Sequence, residues 1–103
     1  IGMTMPFSTI EILRQRVTPA ALNRSVLLAE VFTPSNAVET GFVDRVVSSE
    51  AELMPAALEY AKTTVGLNAA AHAASKKRLR AGVIEAIRVG LQKDLAGWQK
   101  QFL

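Results

Sequence analysis

The stretch that decides the fold is TPSNAVETGFVDRVV, residues 33–47. Thr33 followed by Pro34 is typical of a helix start, because threonine caps free N–H groups and proline suits the first turn. Gly41 is expected to end this short helix, since glycine accepts the left-handed conformation that other residues resist. FVDRVV, residues 42–47, is β-branched and alternates apolar with charged side chains, which predicts a short strand.

Most of the remaining chain is predicted to be helical. Helix-start signals recur along it: Ser8 with Glu11, Thr18 with Pro19, Ser49 with Glu52, and Asn68 before an alanine-rich run. Gly82 is expected to interrupt that run. A further helix then has apolar side chains at helical spacing along one face: Ile84, Ile87, Leu91, Leu95, Trp98 and Phe102. The sequence predicts about five or six helices with one or two very short strands.

The predicted strand has no visible partner in this sequence. A strand alone is not stable, so FVDRVV needs a sheet that the other residues do not supply. The chain also begins on Ile1 and not on methionine. We therefore expect it to be the C-terminal part of a larger protein.

The composition restricts the class of protein. Half of the 103 residues are apolar and a fifth are charged, which is typical of a small globular domain. The absence of cysteine excludes disulfides and thiolate metal sites and fits a cytoplasmic location. We expect no metal, because the one histidine and the scattered carboxylates lack ligand spacing. We also expect no membrane segment, because no apolar run approaches about 20 residues.

Charge is unevenly distributed. Residues 1–52 carry four Lys/Arg against six Asp/Glu, and residues 53–103 carry eight against three. In the segment HAASKKRLR, the residues His72, Lys76 and Arg80 share one helix face, which suits phosphate groups. A solvated basic face is the alternative. Nucleic-acid binding is not expected, because the basic run has no interleaved aromatic residues.

Two further features have residue types that suit a binding or catalytic site. In IGMTMPF, residues 1–7, Met3, Met5, Pro6 and Phe7 can line a pocket for an acyl chain or pack in an ordinary core. Glu11 can act as an acid or base in a pocket, or can simply complement the dipole of its helix. No set of nucleophile, base and orienting residue is visible.

These segments together resemble the C-terminal half of the enoyl-CoA hydratase/isomerase (crotonase) superfamily. The family has a helix followed by Pro/Ala-x-x-Ala-x-x-x-Gly-Leu/Phe-Val-x-x-Val. The residues that match this pattern in register are Pro34, Ala37, Gly41, Phe42, Val43 and Val46. ASKKRL, residues 74–79, resembles the family's Ala-x-Lys helix.

The resemblance implies an α/β fold, of which this chain is the mostly helical C-terminal part with one or two short strands. Residues 1–47 would end the ββα spiral core, with a pocket wall and strand 42–47. Residues 48–103 would form a helical trimerisation region, in a homotrimer or a dimer of trimers. The substrates would be acyl-CoA thioesters in fatty acid metabolism, with coenzyme A as part of the substrate and no separate cofactor.

The resemblance also implies how the chemistry is divided. The family stabilises a thioester enolate with two backbone N–H groups and uses carboxylates as acid and base. These groups fall before Ile1, so the chain alone is predicted to be inactive as a lyase or isomerase. Glu11 is the candidate for a supplementary catalytic role, while Met3, Met5, Pro6, Phe7, Lys76 and Trp98 are the candidates for substrate binding. The alternative function is a non-catalytic helical assembly module.

Overall fold

The computed structural model describes residues 1–102, and the side chains of residues 1–100. The regular elements of these residues are helices: α1 (Phe7–Arg14), α2 (Pro19–Leu28), α3 (Pro34–Ala37), α4 (Glu50–Thr64) and α5 (Ala69–Phe102). Phe102, which the sequence assigns to an apolar stripe, lies outside the residues whose side chains are described.

Several helices begin as the local sequence predicts. The Ala21 N–H donates to Thr18 Oγ1 at 3.2 Å, and Pro19 follows as the first helical residue of α2. The Ala71 N–H donates to Asn68 Oδ1 at 2.9 Å, which caps α5 in the same way. Both signals are confirmed. Ser49 precedes α4 as predicted, but its side chain makes no capping hydrogen bond, and the Glu52 carboxylate accepts from the Ser48 N–H at 3.2 Å instead.

The prediction that Gly82 interrupts the last helical region is wrong. Helix α5 continues through Gly82 and Gly90 for 34 residues. An isolated glycine costs a helix only about 1 kcal/mol relative to alanine. The strong helix formers on either side of Gly82 compensate for that cost.

Residues 42–47 are irregular, so the predicted strand is not present in the described part of the chain. A strand needs hydrogen bonds from a neighbour, and residues 1–102 supply no second strand. Gly41 does adopt the predicted left-handed conformation, with φ of 90°. It does not end the helix directly, because α3 stops at Ala37 and residues 38–41 form a turn. A Cβ atom at Gly41 would lie 2.8 Å from the Arg16 carbonyl oxygen, so this close approach also requires glycine.

The chain buries little of its apolar surface. Its accessible surface is 8510 Å², whereas a compact monomer of 11.1 kDa exposes roughly 5,700 Å². The buried apolar side chains among the described residues are Val17, Ala21 and Ala37. In the predicted stripe of α5, Ile87 is half-buried, whereas Ile84, Leu91, Leu95 and Trp98 are exposed. The covered face of α5 lies beside this stripe, at Val83, Ala86, Ile87, Gly90 and Asp94.

Helix α1 is the link between the other packed elements, since it packs against both α5 and α2. Its backbone lies directly on α5 at Gly90, where an added Cβ would be 2.9 Å from the Ser8 nitrogen. No side chain larger than hydrogen fits there without moving α1. Gly82, about two turns earlier in the same helix, has no atom within 4 Å of an added Cβ.

Gly82 and Gly90 are therefore predicted to respond in opposite ways to substitution in the intact protein. Gly90→Ala should destabilise it by about 1–3 kcal/mol, because overpacking against backbone outweighs the gain in helix propensity. Gly82→Ala should stabilise it by about 1 kcal/mol, because alanine favours the helix and no atom crowds the added Cβ. Urea denaturation of both variants measures the difference, and equal effects would contradict the close packing at Gly90.

Candidate functional site

The segment before α1 and the end of α5 form an open cleft of about 410 Å³. Residues 2–7 line one wall, and Lys93, Asp94, Gly97 and Trp98 line the other. The structure thus brings together five of the seven predicted site residues, Met3, Met5, Pro6, Phe7 and Trp98. Their role in binding stays a prediction.

The two walls of the cleft are joined by Asp94. Its Oδ1 accepts a hydrogen bond from the Phe7 N–H at 2.8 Å, and its Oδ2 accepts one from the Ser8 N–H at 3.0 Å. The Ser8 hydroxyl donates a third bond to Oδ2 at 2.6 Å. Both N–H groups belong to the first turn of α1, which has no intrahelical acceptor for them. The carboxylate therefore caps α1 from another helix.

These hydrogen bonds keep Asp94 ionised. The bond from the Ser8 hydroxyl lowers the pKa of the Asp94 carboxyl most, burial opposes it, and the backbone N–H groups of Ser8 and Phe7 add to the lowering. Asp94 is only 8% exposed. A carboxylate held by three donors is a poor proton carrier, so the geometry assigns Asp94 to structure and not to proton transfer.

Aromatic and cationic groups lie at the mouth of the cleft. The Lys93 ammonium lies 5.1 Å from the centre of the Phe7 ring, within the range of a cation–π contact. Trp98 is 53% exposed and follows Asp94 by one helical turn. The cleft thus combines flexible methionine side chains, two aromatic rings and a positive charge. This combination suits a ligand that has both an apolar part and an anionic part.

Glu11 lies away from this cleft. Its Oε2 atom is 3.3 Å from Arg14 Nε, and its side chain is 27% exposed. It lines shallow grooves along the contact of α1 with α5, beside Val83 and Ala86. The structure therefore separates Glu11 from Met3, Met5 and Trp98, and its supplementary catalytic role stays a prediction.

Lys76 is also remote from the cleft. It lies on the exposed first half of α5, and the rise of a helix places it about 33 Å from Trp98. The structure does not bring Lys76 and Trp98 to one site within a single chain. A role for Lys76 in phosphate binding stays a prediction.

Sequence reasoning missed Gly90, Lys93 and Asp94. The signal that could have revealed them is an acidic residue four positions after a glycine, on the face of α5 next to the apolar stripe. A carboxylate at such a position needs donors opposite it. The glycine marks where a backbone approaches closely enough to supply them.

Residues 1–102 contain no group of three or more His, Cys, Asp or Glu side chains placed to hold a metal ion. Within the same range, no helix combines the length and the apolar character needed to cross a membrane.

The lowered pKa of Asp94 predicts how stability depends on pH. A depressed carboxyl pKa stabilises the folded state above the ordinary value of about 3.9, and this contribution is lost as the pH falls through the folded pKa. Asp94→Asn should therefore make the intact protein less stable at pH 7 and should flatten its loss of stability below about pH 4. Urea denaturation at several pH values tests this, and an unchanged acid limb would contradict it.

No family model matches the sequence, and no curated protein matches it at a significant level.

Solved structures do match. An enoyl-CoA hydratase from Mycobacterium ulcerans is 37% identical, with a TM-score of 0.84 over 94% of this chain and 42% of its own. An enoyl-CoA hydratase/isomerase family protein from Pseudomonas syringae is 40% identical, with a TM-score of 0.85 over 90% of this chain and 40% of its own. An enoyl-CoA isomerase from Mycobacterium tuberculosis is 37% identical, with a TM-score of 0.85 over 92% of this chain and 42% of its own.

The chain thus spans about two fifths of the length of the structures that it matches. This share is consistent with the C-terminal part that the sequence predicts. The similarity covers the α1–α5 arrangement and exceeds what a shared fold alone would show. These matches identify the chain as part of the enoyl-CoA hydratase/isomerase (crotonase) superfamily.

Proposed function

We propose that the protein to which this chain belongs acts on acyl-CoA thioesters, as an enoyl-CoA hydratase or isomerase. The observation that carries the proposal is 37–40% identity over nine tenths of the chain to structures that bear both names. The cleft between residues 2–7 and the end of α5 supports it, because its methionines and aromatic rings suit an acyl chain.

The proposed reaction divides the work between this chain and residues that the resemblance places before Ile1. Hydration and double-bond migration both develop negative charge on the thioester oxygen, which fixed N–H donors stabilise. Both also require a positioned acid and base. We assign these groups to the preceding part of the protein, so this chain alone is expected to be inactive.

The role proposed for this chain is to shape the substrate site. Met3, Met5, Pro6 and Phe7 would form one wall for the acyl part, and Trp98 would face them from α5. Lys93 would attract an anionic part of the ligand to the mouth of the cleft. Glu11 would reach a substrate only in the grooves that it lines, where it could supplement the main acid and base.

An activity measurement tests this proposal. The intact protein should hydrate crotonyl-CoA or isomerise 3-hexenoyl-CoA, and it should bind coenzyme A in isothermal titration. Failure to bind coenzyme A at millimolar concentration, together with no turnover of either substrate, would overturn the proposal.

Lys76 permits a charge-matched comparison. If Lys76 contacts a phosphate of coenzyme A, Lys76→Ala should weaken binding by about 1 kcal/mol or more, or about fivefold. Lys77→Ala removes the same charge from the adjacent position, which faces another side of α5, and should leave the affinity unchanged. Equal affinities of both variants and the wild type would show that Lys76 lies on a solvated face and does not contact a phosphate.

A second proposal is that residues 48–103 assemble copies of the protein into a homotrimer or a dimer of trimers. The specific observation is the exposed apolar surface on α4 and the first half of α5, which includes Leu53, Met54, Leu58 and Leu79. A surface of this kind is typical of a protein interface. If no catalytic part accompanied it, the chain would be the alternative helical assembly module.

Light scattering of the intact protein tests the assembly. Leu79 is 82% exposed, and Leu79→Glu should shift the protein toward monomer, because a charge would be buried without a partner. Leu79→Met keeps the apolar volume and should keep the assembly. A monomeric wild type that still turns over substrate would contradict the proposal.

A further inference from the structure

The wall formed by residues 2–7 depends on α1 for its position. This wall is irregular, and Gly2 in it has φ of 75°. The Pro6 carbonyl oxygen accepts a hydrogen bond from the Ile10 N–H at 3.1 Å. This bond continues the hydrogen-bonding pattern of α1 back into the wall. The position of the first turn of α1 therefore determines the position of this wall.

The opposite wall is fixed by the helix that carries Asp94. Asp94 and Trp98 are four residues apart, so they lie on neighbouring positions of one face of α5. The distance between the two walls is thus set where Asp94 meets the Phe7 and Ser8 N–H groups, at 2.8 and 3.0 Å. Gly90 allows this approach from the preceding turn of α5, since any Cβ there would strike Ser8.

We propose that Asp94 is the positioning residue of the substrate cleft and sets its width by holding the first turn of α1 against α5. This inference rests on the proposed function. Asp94 acts through backbone atoms and not on the substrate itself, because its two oxygens are occupied by Phe7 and Ser8. The Ser8 hydroxyl, on α1, donates to the same carboxylate and so reinforces this contact.

A positioning role predicts a particular kinetic pattern. A cleft of incorrect width weakens the binding of ground state and transition state alike, so KM rises and kcat is retained. A merely stabilising role would lower the denaturation midpoint and leave KM unchanged at temperatures where the protein is folded. The two roles are therefore separable in one set of variants.

The experiment is a double-mutant cycle in the intact protein, with crotonyl-CoA for hydration and 3-hexenoyl-CoA for isomerisation. Asp94→Asn should raise KM about tenfold, as expected for lost bonds to a charged acceptor, and should change kcat less than about twofold. Ser8→Ala should raise KM by a smaller factor. The double variant should be no worse than Asp94→Asn alone, because the Ser8 hydroxyl acts only through the carboxylate.

Controls keep each outcome informative. Glu50→Gln removes an exposed carboxylate from the first turn of α4 and should leave KM unchanged. If Asp94→Asn does not fold, the KM of Ser8→Ala still tests the positioning role. This variant loses a single hydroxyl and keeps both backbone N–H bonds to Asp94. An unchanged KM in the folded variants, or effects of Ser8 and Asp94 that multiply independently, would overturn the positioning role. A wild type that turns over neither substrate would overturn the proposed function, and the positioning role with it.

Discussion

The bond between the Asp94 carboxylate and the first turn of α1 is the interaction on which the rest of this structure depends. Helix α1 begins after Pro6, which supplies no side-chain cap. Its first N–H groups therefore need an acceptor from elsewhere, and the positive end of the helix dipole favours a negative one. Asp94 supplies both and thereby docks α1 on α5. This carboxylate therefore connects the start of the chain to α5. Helix α2 joins the same unit because it packs against α1.

A second joint holds the middle of the chain to the end of α1. The Thr18 N–H donates to the Thr40 carbonyl oxygen at 3.1 Å, and Arg16 Nη2 lies 3.0 Å from Asp44 Oδ1. Gly41 makes this joint possible, since its own conformation and the nearby Arg16 carbonyl both exclude a side chain. The two joints connect α1 with α5 and with residues 40–44, and the described residues have no large apolar core. Such a structure leaves much apolar surface for other parts of the protein to cover.

The sequence predicted what depends on neighbouring residues. The caps at Thr18 and Asn68 and the left-handed Gly41 are confirmed, because each requires only atoms a few residues away. The predictions for Ser8 and residues 42–47 are different, since their partners are distant in sequence. Ser8 was expected to cap its own helix, but its hydroxyl instead donates to Asp94 across 86 residues. Residues 42–47 have strand composition, but composition cannot form a strand without a neighbour.

The candidate site follows the same rule. The sequence singled out Met3, Met5, Pro6 and Phe7, which are adjacent in the chain, and the structure places them together. It could not predict that Lys76 lies far from them, because that separation depends on α5 being continuous through Gly82. An unbroken helix is a rigid spacer at 1.5 Å per residue. The basic first half of α5 and the cleft at its end are therefore held at a fixed separation of about 33 Å. Under the proposed function, a ligand in the cleft would meet Lys93 of its own chain, and a phosphate contacted by Lys76 would belong to a ligand in another site.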